Sequence, residues 1–116
     1  MYQPQYLLTG LGNEHHPDIA RALNWIRQHI EEPFTMKTLS NAVGLSPRTL
    51  ARRFQTNLGQ NPLETVQHIR IQYAVHLLQS TKLTLDEIAA RIGYANVSSL
   101  RRLLKTSMGK TPKQLR

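Results

Sequence analysis

The chain has 116 residues, enough for one domain or two very small subdomains around a modest core. It contains no cysteine, which excludes disulfides, thiolate catalysis and cysteine-built zinc sites. Its 15 Lys and Arg against 7 Asp and Glu leave a formal charge of +8, a balance that suits neutralising phosphates and releasing their condensed counterions.

Residues 1–16 carry Pro and Gly without a clear period and read as a linker or arm. His15 and His16 lie there with no third ligand at a suitable spacing, so no metal site is expected. Pro17 and Asp18 open a first helix, with proline in its first turn and an acid at the positive end of its dipole. Ile19, Ala22, Leu23, Ile26 and Ile30 form one apolar face at helical period. Trp25 packs beside that face, and Pro33 is expected to stop the helix. Thr35 caps a short second helix with Leu39, Ala42 and Val43 inward. Gly44 ends it, because glycine takes a positive φ without steric penalty. Ser46 is a good N-cap, and Pro47 opens a third helix where its missing N–H costs nothing. That helix runs to about Leu58, burying Leu50, Phe54 and Leu58, and Gly59 terminates it.

Asn61, Pro62 and Glu64 open a long fourth helix, close to a capping box. Val66, Ile69, Tyr73, Ala74, Leu77 and Leu78 keep the period to about Gln79. Thr84 and Glu87 form a full capping box for a fifth helix that carries Ile88, Ala89 and Ile92 and is ended by Gly93. Asn96 caps a sixth helix with Leu100, Leu103 and Leu104 inward, and Gly109 ends it. Thr111 and Pro112 begin a last turn. No segment alternates as a strand does. The expected fold is therefore all-α with about seven helices. Two helix-turn-helix subdomains (about 17–60 and 80–116) are joined by a linker helix (about 61–79). No stretch approaches the length of a membrane span, and the N-terminus lacks the pattern of a secretory signal, so the cytoplasm is the expected compartment.

The two halves match each other. Thr35, Leu39, Val43 and Gly44 recur 49 residues later as Thr84, Ile88, Ile92 and Gly93. After the turn the offset becomes 50: Leu50, Arg52, Phe54, Gly59 and Pro62 recur as Leu100, Arg102, Leu104, Gly109 and Pro112. The second turn is thus one residue longer. Agreement at cap, core, turn glycine, arginine and the closing Gly-x-x-Pro argues for two copies of one unit. Two helices joined by a short glycine turn can place the second in a DNA major groove. A linker helix of about 18 residues spans ~27 Å, comparable with the ~34 Å between neighbouring major-groove segments on one face of a duplex.

On the third helix Arg48, Ala51, Arg52 and Gln55 share the face opposite Leu50 and Phe54. On the sixth, Ser98, Arg101, Arg102 and Lys105 take the same places. Arg48 and Arg52 are the leading base readers of the first unit, since arginine bonds guanine O6 and N7 as a pair. Val97, Ser98 and Arg102 lead in the second, Val97 against a thymine methyl. Lys37, Thr49, Arg53 and Lys105 are candidate phosphate contacts, as are the capped helix starts at Thr35, Ser46, Thr84 and Asn96. Charge supports the assignment: residues 33–63 hold Lys37, Arg48, Arg52 and Arg53 and no acid, and residues 88–116 hold seven Lys or Arg and no acid. Arg70 stands apart, midway along the linker helix, and either pairs inside the fold or touches the phosphate backbone.

These motifs are similar to those of the DNA-binding domain of AraC/XylS-family transcriptional regulators. The resemblance covers residues 17–116. It rests on Leu-Ser-Pro-Arg-Thr-Leu-Ala-Arg-Arg-Phe (45–54), Gly59-x-x-Pro62, Arg70-x-x-x-Ala74-x-x-Leu77-Leu78, Ile88-Ala89-x-x-x-Gly93-Tyr94 and Gly109-x-x-Pro112. It implies seven helices, sequence-specific binding of double-stranded DNA at promoters, and usually activation through contact with RNA polymerase. The Ala-Leu-Asn-Trp-Ile run of the first helix (22–26) resembles members whose N-terminal part is a glutamine-amidotransferase-like, PfpI-like domain. A sensor domain before residue 1 is accordingly expected in a longer protein. The chain departs from the family at Leu100 and Leu104, where phenylalanine is usual, which lightens the second core.

Other classes fit less well. The five histidines are scattered, and no paired-carboxylate cleft or Ser-His arrangement with a third partner is present, so no enzyme and no cofactor are expected. RNA readers usually expose stacking aromatics, and aromatics are only 6% of this chain, several of them in core or arm positions.

Overall fold

Short polar side chains set where the helices begin. The computed structural model describes residues 16–116, so most of the expected arm lies outside the described residues. Among the described residues the chain forms α1 (Pro17–Gln28), α2 (Met36–Val43), α3 (Pro47–Leu58), α4 (Pro62–Ser80), α5 (Leu85–Arg91), α6 (Val97–Met108) and α7 (Pro112–Leu115), and no strand. Thr35, Ser46, Asn61, Thr84, Asn96 and Thr111 each accept the backbone N–H three residues on. Asn61 with Glu64, Thr84 with Glu87 and Thr111 with Gln114 complete reciprocal capping boxes. The first and third of these lie 50 residues apart, so the repeat extends past α3 and α6 into the starts of α4 and α7.

The two turns repeat as well. Gly44 and Gly93 both have positive φ, at 75° and 82°. The next residue closes the same hydrogen bond in each: Leu45 N–H donates to the Ser40 carbonyl at 3.0 Å, and Tyr94 N–H to the Ala89 carbonyl at 2.9 Å. The second turn then takes three steps from glycine to N-cap, where the first takes two.

α1, α2 and α3 enclose one core, with Ile19, Ile26, Leu39, Leu50 and Phe54 fully or almost fully buried. α5, α6 and α7 enclose a second, with Ile88, Ile92, Leu100 and Leu104 at its centre. α4 belongs to both. Val66 and Ile69 near its start pack into the first core, while Ile71, Ala74, Val75 and Leu78 pack into the second. Tyr73 lies between them and touches both. At 19 residues and ~1.5 Å per residue α4 is ~28 Å long. The linker helix is therefore more than a spacer: it is buried on opposite sides at its two ends.

Four details differ from expectation. α1 ends at Gln28, not at Pro33, because Ile30 must turn inward to reach the core; the Glu32 N–H closes that turn on the His29 carbonyl at 3.0 Å. Ala42 is exposed, and Ser40 is buried instead, its hydroxyl donating to the Lys37 carbonyl at 3.0 Å. Leu58 and Leu103 are only half-buried, at the edges of their cores. His16, read from sequence as part of the arm, is the N-cap of α1: its Nδ1 accepts the Asp18 N–H at 3.0 Å.

Asp18 fixes the first unit from outside its core. Its carboxylate takes Arg21 at 2.8 Å on α1 and Arg53 at 3.3 Å on α3. Arg21 in turn donates to the Val43 carbonyl at the end of α2 at 3.0 Å. One acid thus ties together all three helices of the first unit.

In urea titrations, Phe54→Ala should lower stability by about 3–5 kcal/mol and Leu104→Ala by about 2–5 kcal/mol, one variant per core. Asp18→Asn should lower it by no more than about 1 kcal/mol, and by less at high salt, because its arginine partners are partly solvated. Hydrogen bonds from Thr84 hold the Glu87 carboxyl below the ordinary glutamate pKa. Such a group stabilises the fold above its unfolded pKa and loses that contribution as pH falls through the folded value. Melting followed by circular dichroism should show an acid-dependent loss below about pH 4 that Glu87→Gln reduces.

Candidate nucleic-acid interface

α3 and α6 present the same polar pattern on matching frames. Leu50 and Phe54 hold the inner side of α3, and Leu100 and Leu104 that of α6, all at or near zero exposure. Helical period then turns Arg48, Ala51, Arg52 and Gln55 outward on α3, and all four are exposed. Ser98, Arg101, Arg102 and Lys105 are exposed on α6. Among the described residues, Arg48, Arg52, Arg101 and Arg102 are absent from every ion pair and every side-chain hydrogen bond. Their forks of donors face water, free to engage guanine edges or phosphates.

The remaining candidates divide by what already holds them. Val97, at the first position of α6, is half-buried. Arg53 is half-buried and turned to Asp18, so part of its charge is spent inside the fold. Lys105 is exposed, with a long contact of 3.4 Å from Nζ to the Gly109 carbonyl. Lys37 is exposed in the first turn of α2. Thr49 is half-buried and shares a hydrogen bond of 3.0 Å with the Ser46 hydroxyl.

The capping side chains of Thr35, Ser46, Thr84 and Asn96 are committed to their own helices, so an anion there would meet the first backbone N–H groups. The starts of α2, α3 and α6 carry no acid in the first turn. The α5 start carries both Asp86 and Glu87, and a phosphate near Thr84 would meet two carboxylates.

Arg70 is settled as an internal residue. It is 8% exposed and donates from Nη2 to the Glu32 carbonyl at 2.9 Å. Its guanidinium lies 5.0 Å from the Phe34 ring centre and 5.8 Å from that of Tyr94. Burial lowers the proton affinity of Arg70 and raises that of the Tyr94 hydroxyl, while the attraction between the two acts the other way on each. Sequence reasoning set Arg70 apart by its position but not by its partners. It missed Asp18 as a hub, whose only sequence signal is an acid in a helix's first turn.

A family model described as a helix-turn-helix domain matches residues 39–116. The chain is 30% identical over 113 residues to the HTH-type transcriptional regulator AlkR of Acinetobacter baylyi, covering 97% of this chain and 36% of that protein. It spans about a third of the length of the curated relatives it matches. The C-terminal domain of AraT, a response regulator from Geobacillus stearothermophilus, superposes with a TM-score of 0.84 at 31% identity, covering 89% of this chain and 86% of that one. The DNA-binding domain of the global transcriptional factor AdpA, solved with a target DNA, superposes with a TM-score of 0.78 at 30% identity, covering 84% and 87%. With duplicated caps, turn glycines and recognition helices in place, and the family match spanning the long helix and the whole second unit, the chain belongs to the AraC-type helix-turn-helix family of transcriptional regulators.

Proposed function

We propose that this chain binds double-stranded DNA sequence-specifically, with α3 and α6 each entering one of two adjacent major-groove segments, and thereby regulates transcription initiation. The observation that carries this reading is the pair of exposed arginine faces, Arg48 with Arg52 and Arg101 with Arg102, without an ion-pair partner among the described residues and set on two copies of one frame. The likeness to a domain solved on its target DNA supports it. So does the length of α4, ~28 Å against the ~34 Å of one duplex turn.

Arg48, Arg52 and Arg102 read base edges, helped by Ala51, Gln55, Val97, Ser98 and Arg101. Lys37, Arg53, Lys105 and the free N–H groups at the α2, α3 and α6 starts hold phosphates. The two heads differ in emphasis. The first is braced by Asp18 and gives the sharper base contacts. The second, with seven Lys or Arg and no acid after residue 88, contributes more electrostatic anchoring.

The relatives are longer than this chain, which supports a further domain in the whole protein. We assign it the role of sensor, placed before residue 1 and of the amidotransferase-like kind suggested by the first helix. Output is activation through contact with RNA polymerase, and the site of action is the cytoplasm, where promoter DNA lies.

Selection from a random duplex library should return two short blocks about 10 base pairs apart, centre to centre. No enrichment over random duplex would end the reading. On the selected site, Arg48→Ala or Arg102→Ala should each relax preference at one base pair by about 1–3 kcal/mol. Lys105→Ala should weaken all sequences alike and reduce the salt slope by about 0.9. Equal loss on all sequences for all three variants would show the base-reading assignment to be wrong.

A further inference from the structure

The two units meet at a second place besides α4. A Cβ built on Gly93 would lie 3.0 Å from the carbonyl oxygens of both Ile30 and Glu32, and 3.1 Å from Nη2 of Arg70. Ile30 and Glu32 belong to the α1–α2 connection of the first unit. Gly93 belongs to the helix-turn-helix turn of the second. Backbone is therefore pressed on backbone across the unit boundary, at a position where φ of 82° also favours glycine.

Arg70 fills this junction from α4. Its hydrogen bond to the Glu32 carbonyl reaches the first unit. The aromatic faces on which it rests come one from each side: Phe34 precedes α2, and Tyr94 sits in the longer second turn. No carboxylate pairs with it among the described residues, and its Nε is buried without a partner. A buried cation so placed is a poor source of stability, since desolvation offsets much of what its contacts return. It does impose geometry, because a planar guanidinium fits one carbonyl and two rings in one orientation only.

We propose that Arg70, with Gly93, Phe34 and Tyr94, is a clasp that fixes the second recognition helix relative to the first, so that the chain accepts two half-sites at one separation only. The inference rests on the two-head reading of the DNA interface. α4 alone connects the units along one axis. The clasp adds an attachment off that axis, which resists rotation and bending about it. Inserting one base pair moves a half-site by ~3.4 Å and turns it by about a tenth of a revolution, which a rigid pair of heads cannot follow. Arg70 acts here as a positioning residue and touches no DNA.

The test compares binding of the 116-residue chain with three duplexes: the library-selected site, that site with one base pair inserted between its blocks, and a duplex keeping the first block alone. Wild type should lose about tenfold or more on insertion, the equivalent of one or more base contacts. Arg70→Met should lose no more than about threefold on insertion, with single-block affinity within about twofold of wild type. Phe34 and Tyr94 are only partly buried, at the edges of the two cores, and Phe34→Leu and Tyr94→Leu should shift the insertion penalty the same way, which decides the matter if Arg70→Met does not fold. Variants that keep the full wild-type penalty would overturn the clasp. So would variants that lose single-block binding as much as whole-site binding, since that marks a merely structural role. A wild-type chain indifferent to the insertion would instead remove the two-head reading on which the clasp stands.

Discussion

Neither three-helix unit closes its core alone, and α4 supplies the missing wall to both. α1 to α3 leave Leu39, Leu50 and Phe54 open on one side until Val66 and Ile69 arrive. α5 to α7 leave Ile88, Leu100 and Leu104 open until Ala74, Val75 and Leu78 arrive. A small domain buries too little apolar surface to dispense with such sharing. The consequence is mechanical. The element that completes each core also carries one recognition helix relative to the other, so stability and spacing depend on one helix.

The duplication makes this economy visible. The start of α4 follows α3 as α7 follows α6, through Gly-x-x-Pro and a capping box in both places. Pro62 and Pro112 are both buried at these entries. Each recognition helix is thus held at its far end by the next helix in the chain, and at its near end by a Schellman-type turn. The outward face is left to vary. That is how one frame presents Arg48 and Arg52 in the first copy and Arg101 and Arg102 in the second.

The copies have diverged where they meet. Tyr94, which takes the place of Leu45 after the turn glycine, is one of the two aromatic faces against Arg70. The first unit has instead recruited Asp18, which links α1 to α3 directly and to α2 through Arg21. Charge obeys the same division. The acids of the first unit lie in α1 and just after it, while α2, α3 and their turn carry none. In the second unit Asp86 and Glu87 occupy the α5 start, and every charge after them is positive. α3 and α6 thus expose arginines with no acid on either helix.

The sequence by itself determined the helices, their caps and their turns, because these depend on residues within a few positions of one another. Ser46 capping the amide of Thr49, Gly44 at positive φ, and Leu50 with Phe54 on one face all come from spacing and side-chain chemistry. The duplication was legible too, since it is a comparison of such local signals. Tertiary structure alone decided what depends on residues far apart in the chain. Arg70 meets the Glu32 carbonyl 38 positions away, and Arg53 meets Asp18 35 positions away. No local pattern tells a buried arginine from a solvated one, or a turn glycine from one that also admits a neighbouring backbone. α4 reads as a helix with one apolar stripe, yet it is buried on two sides because two cores flank it, and only the packing of both units around it could show that.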